Sequence, residues 1–136
     1  MKMRVLEEVE PVPVLMEGAE GAHVRVVLGR EDRAPGFTMR VFALDAGGRT
    51  PYHRHDYEHE VYVLSGRGGI LGVEGRSGLS PGAAVLVHPD EWHGFVADEG
   101  QPMEFLCVVP NRAYEEGKYR VQTGKWEPPQ RPARQR

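Results

Sequence analysis

Glycine and proline interrupt this chain so often that a long helix has almost no room to form. The 136 residues include 17 glycines and 11 prolines. Both residues are poor in helix interiors, glycine through its backbone entropy and proline through its missing N–H. The intervals between them are rich in Val, Phe, Tyr and Leu and lack a 3.6-residue repeat, the pattern of short strands. Strands are predicted near Val24–Leu28, Phe37–Leu44, His53–His55, Glu60–Leu64, Gly69–Val73, Ala83–Val87, Gly94–Ala97 and Met103–Val109. Turn signals separate them, among them Ala34-Pro35-Gly36, Ala46-Gly47-Gly48, Ser65-Gly66-Arg67-Gly68 and Ser80-Pro81-Gly82. Many short strands at such spacing predict an all-β sandwich or barrel.

Alternation gives one strand an inside and an outside. Along Met103–Val109, one face carries Met103, Phe105, Cys107 and Val109, and the other carries Glu104, Leu106 and Val108. Glu104 should avoid the interior, so the Phe105 and Cys107 face is expected inside, either as plain core or as the lining of a pocket. The ends differ in character. Residues 1–22 are acidic, with Pro11-Val12-Pro13-Val14-Leu15 as a candidate edge strand. Residues 113–136 end in a basic, proline-rich stretch expected to be an extended, solvated tail. Residues 23–112 are left as the barrel.

Three histidines fall within seven residues, at His53, His55 and His59, and a fourth lies at His93. On an extended strand His53 and His55 project from the same face. Neutral imidazole is the commonest side-chain ligand for divalent transition metals, so several converging rings predict a site for one ion. A surface cluster is the alternative, but scattered surface histidines have no reason to sit in strand-like sequence after a Gly-Gly turn. Arg40 and Trp92 are candidates to shape the pocket, with a solvated strand residue and a rim residue as their plainer readings. His23 and His88 read as structural or exposed.

The remaining composition mostly excludes. A net charge of −3 gives no general reason to expect nucleic-acid binding. No apolar run approaches the ~20 residues needed to cross a bilayer. The start of the chain shows no signal peptide, and the single cysteine, Cys107, rules out an internal disulfide. The expectation is a cytoplasmic protein with no nucleic-acid or membrane partner.

These residues together resemble the cupins, small antiparallel jelly-roll barrels that hold a metal in the barrel mouth. Their first signature, Gly-x5-His-x-His-x3/4-Glu-x6-Gly, is matched by Gly47, His53, His55, His59 and Gly66, with His59 in the place of Glu. The second, Gly-x5-Pro-x-Gly-x2-His-x3-Asn, is matched at Gly82 and His93, while His88, Asp90 and Ala97 depart from it. The stretches His53–Glu60, Pro89–Phe95 and Glu104–Cys107 resemble the single-domain, four-histidine branch typified by a manganese-binding protein. The resemblance implies His53, His55, His59 and His93 as ligands, with Glu60 as the rival of His59, since the signature also permits four intervening residues; the spacing to Gly66 favours His59. It favours manganese or iron; imidazole chemistry alone also suits zinc, nickel or copper.

The function that follows is an oxygenase-type enzyme acting on a small organic substrate, with the metal as template and Lewis acid. Two alternatives stand beside it. One is a non-catalytic metal or small-ligand sensor. The other is a sugar-isomerase-type cupin in which Glu58 or Glu60 does the acid–base work. Cupins commonly pair through edge strands, so a homodimer is expected.

Overall fold

The computed structural model describes residues 1–130 and contains eleven strands and three short 3₁₀ turns. The strands are β1 (Val12–Pro13), β2 (Glu20–Leu28), β3 (Phe37–Arg49), β4 (His53–His55), β5 (His59–Gly66) and β6 (Gly68–Gly72). They continue with β7 (Gly75–Leu79), β8 (Ala84–Val87), β9 (Gly94–Ala97), β10 (Met103–Pro110) and β11 (Val121–Thr123). Every pairing between them is antiparallel. The main sheet runs β7-β6-β9-β3-β10-β5-β8, with β1 and β2 added on the other edge of β3. This is the all-β arrangement expected from the turn spacing, and the jelly roll that the cupin resemblance implies. Among the described residues no helix is long and apolar enough to cross a membrane.

The wrap of the sheet comes largely from β3. Its first part pairs with β2 and β10, and its last residue, Arg49, pairs with Val96 of β9. The strand changes partner at Gly47-Gly48. Gly47 adopts φ +73, a left-handed value that favours glycine. A Cβ on Gly48 would lie 2.8 Å from the Gly21 carbonyl and 2.9 Å from the Asp45 carbonyl. Two adjacent glycines therefore let β3 bend and let β2 pass close beside it. A third glycine closes the other side, since a Cβ on Gly66 would fall 1.8 Å from the Pro102 carbonyl oxygen.

The core is one apolar cluster inside the wrap. Along β10, Met103, Phe105, Cys107 and Val109 are buried and alternate with half-buried Glu104, Leu106, Val108 and Pro110. Val61 and Val63 of β5, Leu44 of β3, Val87 of β8 and Phe95 of β9 meet them. Phe105 stacks between Phe42, at 5.2 Å, and Phe95, at 4.6 Å. Each such ring burial contributes roughly 2–3 kcal/mol from removed apolar area.

Two features differ from the sequence expectations. The Gly-rich stretch 75–79 forms β7, which pairs with β6 as a hairpin; its polar, glycine-containing sequence carries no strand signal. The segment assigned to a solvated tail folds back instead. β11 pairs with β4, and Trp126 donates from its indole N–H to the Gly72 carbonyl at 2.9 Å. The end of the basic tail, residues 131–136, lies outside the described residues.

Candidate metal centre

Each histidine reaches the centre through a different local device. His53 and His55 lie two apart on β4, so both rings leave the same face. β4 is held on one side by β11 and on the other by a backbone bridge, in which the His53 and His93 amides each donate to the other's carbonyl at 3.0 and 2.9 Å. That bridge fixes His93 beside His53. The preceding turn is tied down as well, because the Asp90 amide donates to the His55 carbonyl at 2.7 Å. Asp90 sits at φ +63, a left-handed conformation that Asp tolerates better than most residues. This accounts for Asp at a position where the resembling signature has Gly. His59 opens β5, whose alternation buries His59, Val61 and Val63 and exposes Glu60 and Tyr62.

The four rings form one cluster. His55 and His93 have centroids 4.8 Å apart and occupy the middle. His53 lies 5.1 Å from His55 and 4.8 Å from His93, while His59 lies 5.1 Å from His55 and 4.9 Å from His93. Ligand nitrogens of His53, His55 and His93 all fall within 4.8 Å of one another. His59 stands outside that group of three, yet its Nε2 is 3.0 Å from His93 Nε2.

Hydrogen bonds prepare the nitrogens. His55 Nδ1–H donates to the Tyr57 carbonyl at 2.8 Å, and His93 Nδ1–H donates to the Glu91 carbonyl at 2.7 Å. A carbonyl only accepts, so both rings carry their hydrogen on Nδ1 and leave a bare lone pair on Nε2. His59 Nδ1 lies 3.1 Å from Cys107 Sγ, which can accept from it in the same way. Buried His53 Nδ1 has no partner among the described residues. Tyr57 stacks on His55 with centroids 3.9 Å apart, which holds that ring in place.

All four rings are kept neutral. Burial, then the charges of His93, His55 and Arg40, pushes His53 down to about 3. Burial and His93 push His55 down to about 4. His59 and His93 are also lowered, burial leading in each. Neutral imidazoles with lone pairs facing inward fit a divalent transition metal ion. The contact between His59 and His93 adds to the fit. Their Nε2 atoms lie 3.0 Å apart, a separation that a shared hydrogen or a cation held by both satisfies.

A cavity of about 540 Å³ opens beside the rings, and all four histidines line it. Phe42, Phe95, Phe105 and Tyr57 make most of its wall aromatic. Arg40, Phe105 and Cys107 line it too. Trp92 does not, which corrects its assignment to the pocket. Its ring stacks on Tyr52 at 5.3 Å and takes the Arg54 guanidinium at 5.1 Å. Neighbours on a strand face opposite ways, so with His93 turned inward Trp92 joins Arg54 outside. Glu58 and Glu60 are exposed and absent from the lining. Sequence reasoning missed Tyr114, Glu116 and Tyr119, which line the mouth from the segment after β10. Two tyrosines in an otherwise charged stretch were the available signal.

Known proteins share this fold. The polyketide cyclase RemF from Streptomyces resistomycificus superposes with a TM-score of 0.83 at 31% identity, covering 93% of this chain and 87% of that one. A cupin 2 conserved barrel domain protein from Rhodopseudomonas palustris gives a TM-score of 0.66 at 30% identity, covering 75% of this chain and 70% of that one. A curated relative is the 1-methylthio-D-xylulose 5-phosphate methylsulfurylase of Rhodospirillum rubrum, 32% identical over 71 residues. That alignment spans 52% of this chain and 46% of the relative, so less than half of that enzyme's length is matched. Residues 40–109, half of the chain and the stretch that carries all four histidines, match the Cupin domain family. The chain belongs to the cupin family.

Proposed function

We propose that this protein is a metal-dependent cupin enzyme that promotes ring closure in a small, carbonyl-rich, largely apolar substrate. His53, His55, His59 and His93 would hold one divalent transition metal ion. The observation that carries this reading is the joining of four neutral imidazoles to an aromatic-lined cavity. The likeness to a polyketide cyclase over nearly the whole chain supports it. Such a metal, bound through neutral ligands only, supplies uncompensated positive charge that polarises carbonyl oxygen. Manganese and iron are favoured by the four-histidine resemblance.

The chain's own residues do the rest. Phe42, Phe95 and Phe105 enclose the substrate and exclude water, which favours a folded conformer over an extended one. Tyr57, held against His55, keeps that imidazole from turning. Glu116 is the only carboxylate among the lining residues, which makes it the proposed acceptor for a proton leaving the carbon between two carbonyls. That carbon then bonds to a distant carbonyl carbon, whose oxygen takes up a proton, and the sequence is redox-neutral.

The oxygenase reading is the runner-up, favoured by the same uncompensated ligand set. Incubation of metal-loaded protein with nonane-2,4,6,8-tetraone, whose C3 can close a six-membered ring on the C8 carbonyl, under nitrogen and under air, separates the two. Ring closure at equal rates in both gases supports the cyclase. Consumption of one dioxygen per substrate supports the oxygenase, and no turnover in either gas removes both.

A further inference from the structure

The cavity holds a positive charge that the histidine set does not need. Arg40 projects into it from β3, half-buried. Nη1 donates to the Tyr114 hydroxyl at 3.2 Å and Nη2 to Cys107 Sγ at 3.6 Å, while buried Nε has no partner. The guanidinium also lies 4.8 Å from the Phe42 ring centre and 5.7 Å from that of Tyr114. None of these neighbours is an anion. Five other arginines are matched with carboxylates, Arg4 with Asp32, Arg49 with Glu20, Arg76 with Asp98, Arg112 and Arg120 with Asp56, and Arg25, Arg30 and Arg54, outside the cavity, donate to carbonyl or amide oxygens. Arg40 is in no ion pair among the described residues.

The imbalance grows with the proposed ion in place. Arg40 lines the same cavity as the four rings, and Cys107 Sγ lies 3.6 Å from its Nη2 and 3.1 Å from His59 Nδ1, so the guanidinium lies within electrostatic reach of the centre. A dication and a guanidinium in one aromatic cavity, with four uncharged ligands, leave a large positive excess at low dielectric. Glu116, exposed at the mouth, is the only carboxylate lining the cavity. The missing anion therefore has to arrive with the ligand.

We propose that Arg40 recognises a carboxylate on a flat, carbonyl-bearing substrate whose carbonyl end faces the histidines. This assignment rests on the ring-closure reading and names the substrate class for it. Each Nη has a second hydrogen without an acceptor among the described residues, and two parallel N–H donors suit the two oxygens of a carboxylate. Among the described residues Arg40 is the only Lys or Arg that lines the cavity.

Calorimetry with 2-naphthoate and its neutral isostere 2-naphthamide tests the assignment, on metal-loaded protein and again after chelation. The expected result is at least tenfold tighter binding of the carboxylate in both states. In Arg40→Met the preference should fall below about threefold, while Arg40→Lys should keep most of it. Equal affinities in the unaltered protein overturn the proposal, with no variant needed. So does a preference that survives Arg40→Met, or one that disappears on chelation, since the anion would then belong to the metal. Tighter binding of 2-naphthyl phosphate than of 2-naphthoate overturns the carboxylate class. Neither naphthalene probe can cyclise, so failure of ring closure leaves these affinities standing, and failure here leaves ring closure testable.

Discussion

His59 and Glu60 are adjacent in sequence and opposite in fate. β5 buries the imidazole and exposes the carboxylate, because side chains on a strand alternate. His59→Ala should therefore weaken binding of manganese or zinc by roughly a hundredfold, at the upper end of what a lost ligand or its support costs. Glu60→Ala should leave it within a factor of about three. Titration calorimetry on both variants decides, and the reverse order would move the ligand role to Glu60. The lowered pKa values give a second prediction, for chelated protein. Unfolded histidines take up protons near pH 6.5, but folded His53 and His55 do so only near 3 and 4. Between those limits the unfolded chain binds more protons, so stability falls as pH drops. Thermal midpoints should decline steadily from about pH 6.5 to 4; a flat profile would mean that the rings are not buried as neutral groups. At this scale the sequence was informative about the histidines, since their spacing on an extended strand already sets their direction. It was misleading about Trp92, because adjacency to His93 in sequence places it on the opposite side of the strand.

The elements that hold the centre come from both ends of the chain. β4 is only three residues long and survives between the His53–His93 backbone bridge and β11. Asp56, just after it, is gripped by Arg112 and Arg120, and the Arg120 backbone, then the two guanidiniums, hold its carboxyl below the usual range. The segment after β10 thus acts as a strap over the strand that carries His53 and His55. Truncation after Lys118 should spare the barrel and its secondary structure, yet weaken metal binding roughly tenfold, the range seen when support for a ligand is lost. Amide exchange at Arg54 should speed up in the same protein. Unchanged affinity and exchange would show that β11 supports nothing. The strand-rich middle was legible because its apolar runs are bounded by glycine and proline turns. β7 and β11 were not, since polar strands such as Arg76-Ser77-Gly78 and Val121-Gln122-Thr123 owe their pairing to neighbours far away in sequence.

At the scale of the whole molecule, the wrapped sheet ends in two free edges, β7 and β8. Free edges invite pairing, and the expected assembly is a homodimer. Light scattering should give twice the 15.2 kDa of one chain; a mass of one chain at micromolar concentration would refute that. The barrel brings His93, which follows β6, β7 and β8 in the chain, against the three histidines around β4 and β5. The wrap of the sheet makes that meeting possible. The most direct test is a crystal structure grown with manganese, read through its anomalous difference map. The account predicts one peak per chain within bonding distance of Nε2 on His55, His59 and His93 and of one ring nitrogen on His53. A cavity without a peak, or an ion held by Glu58 or Glu60 in place of a histidine, would contradict it.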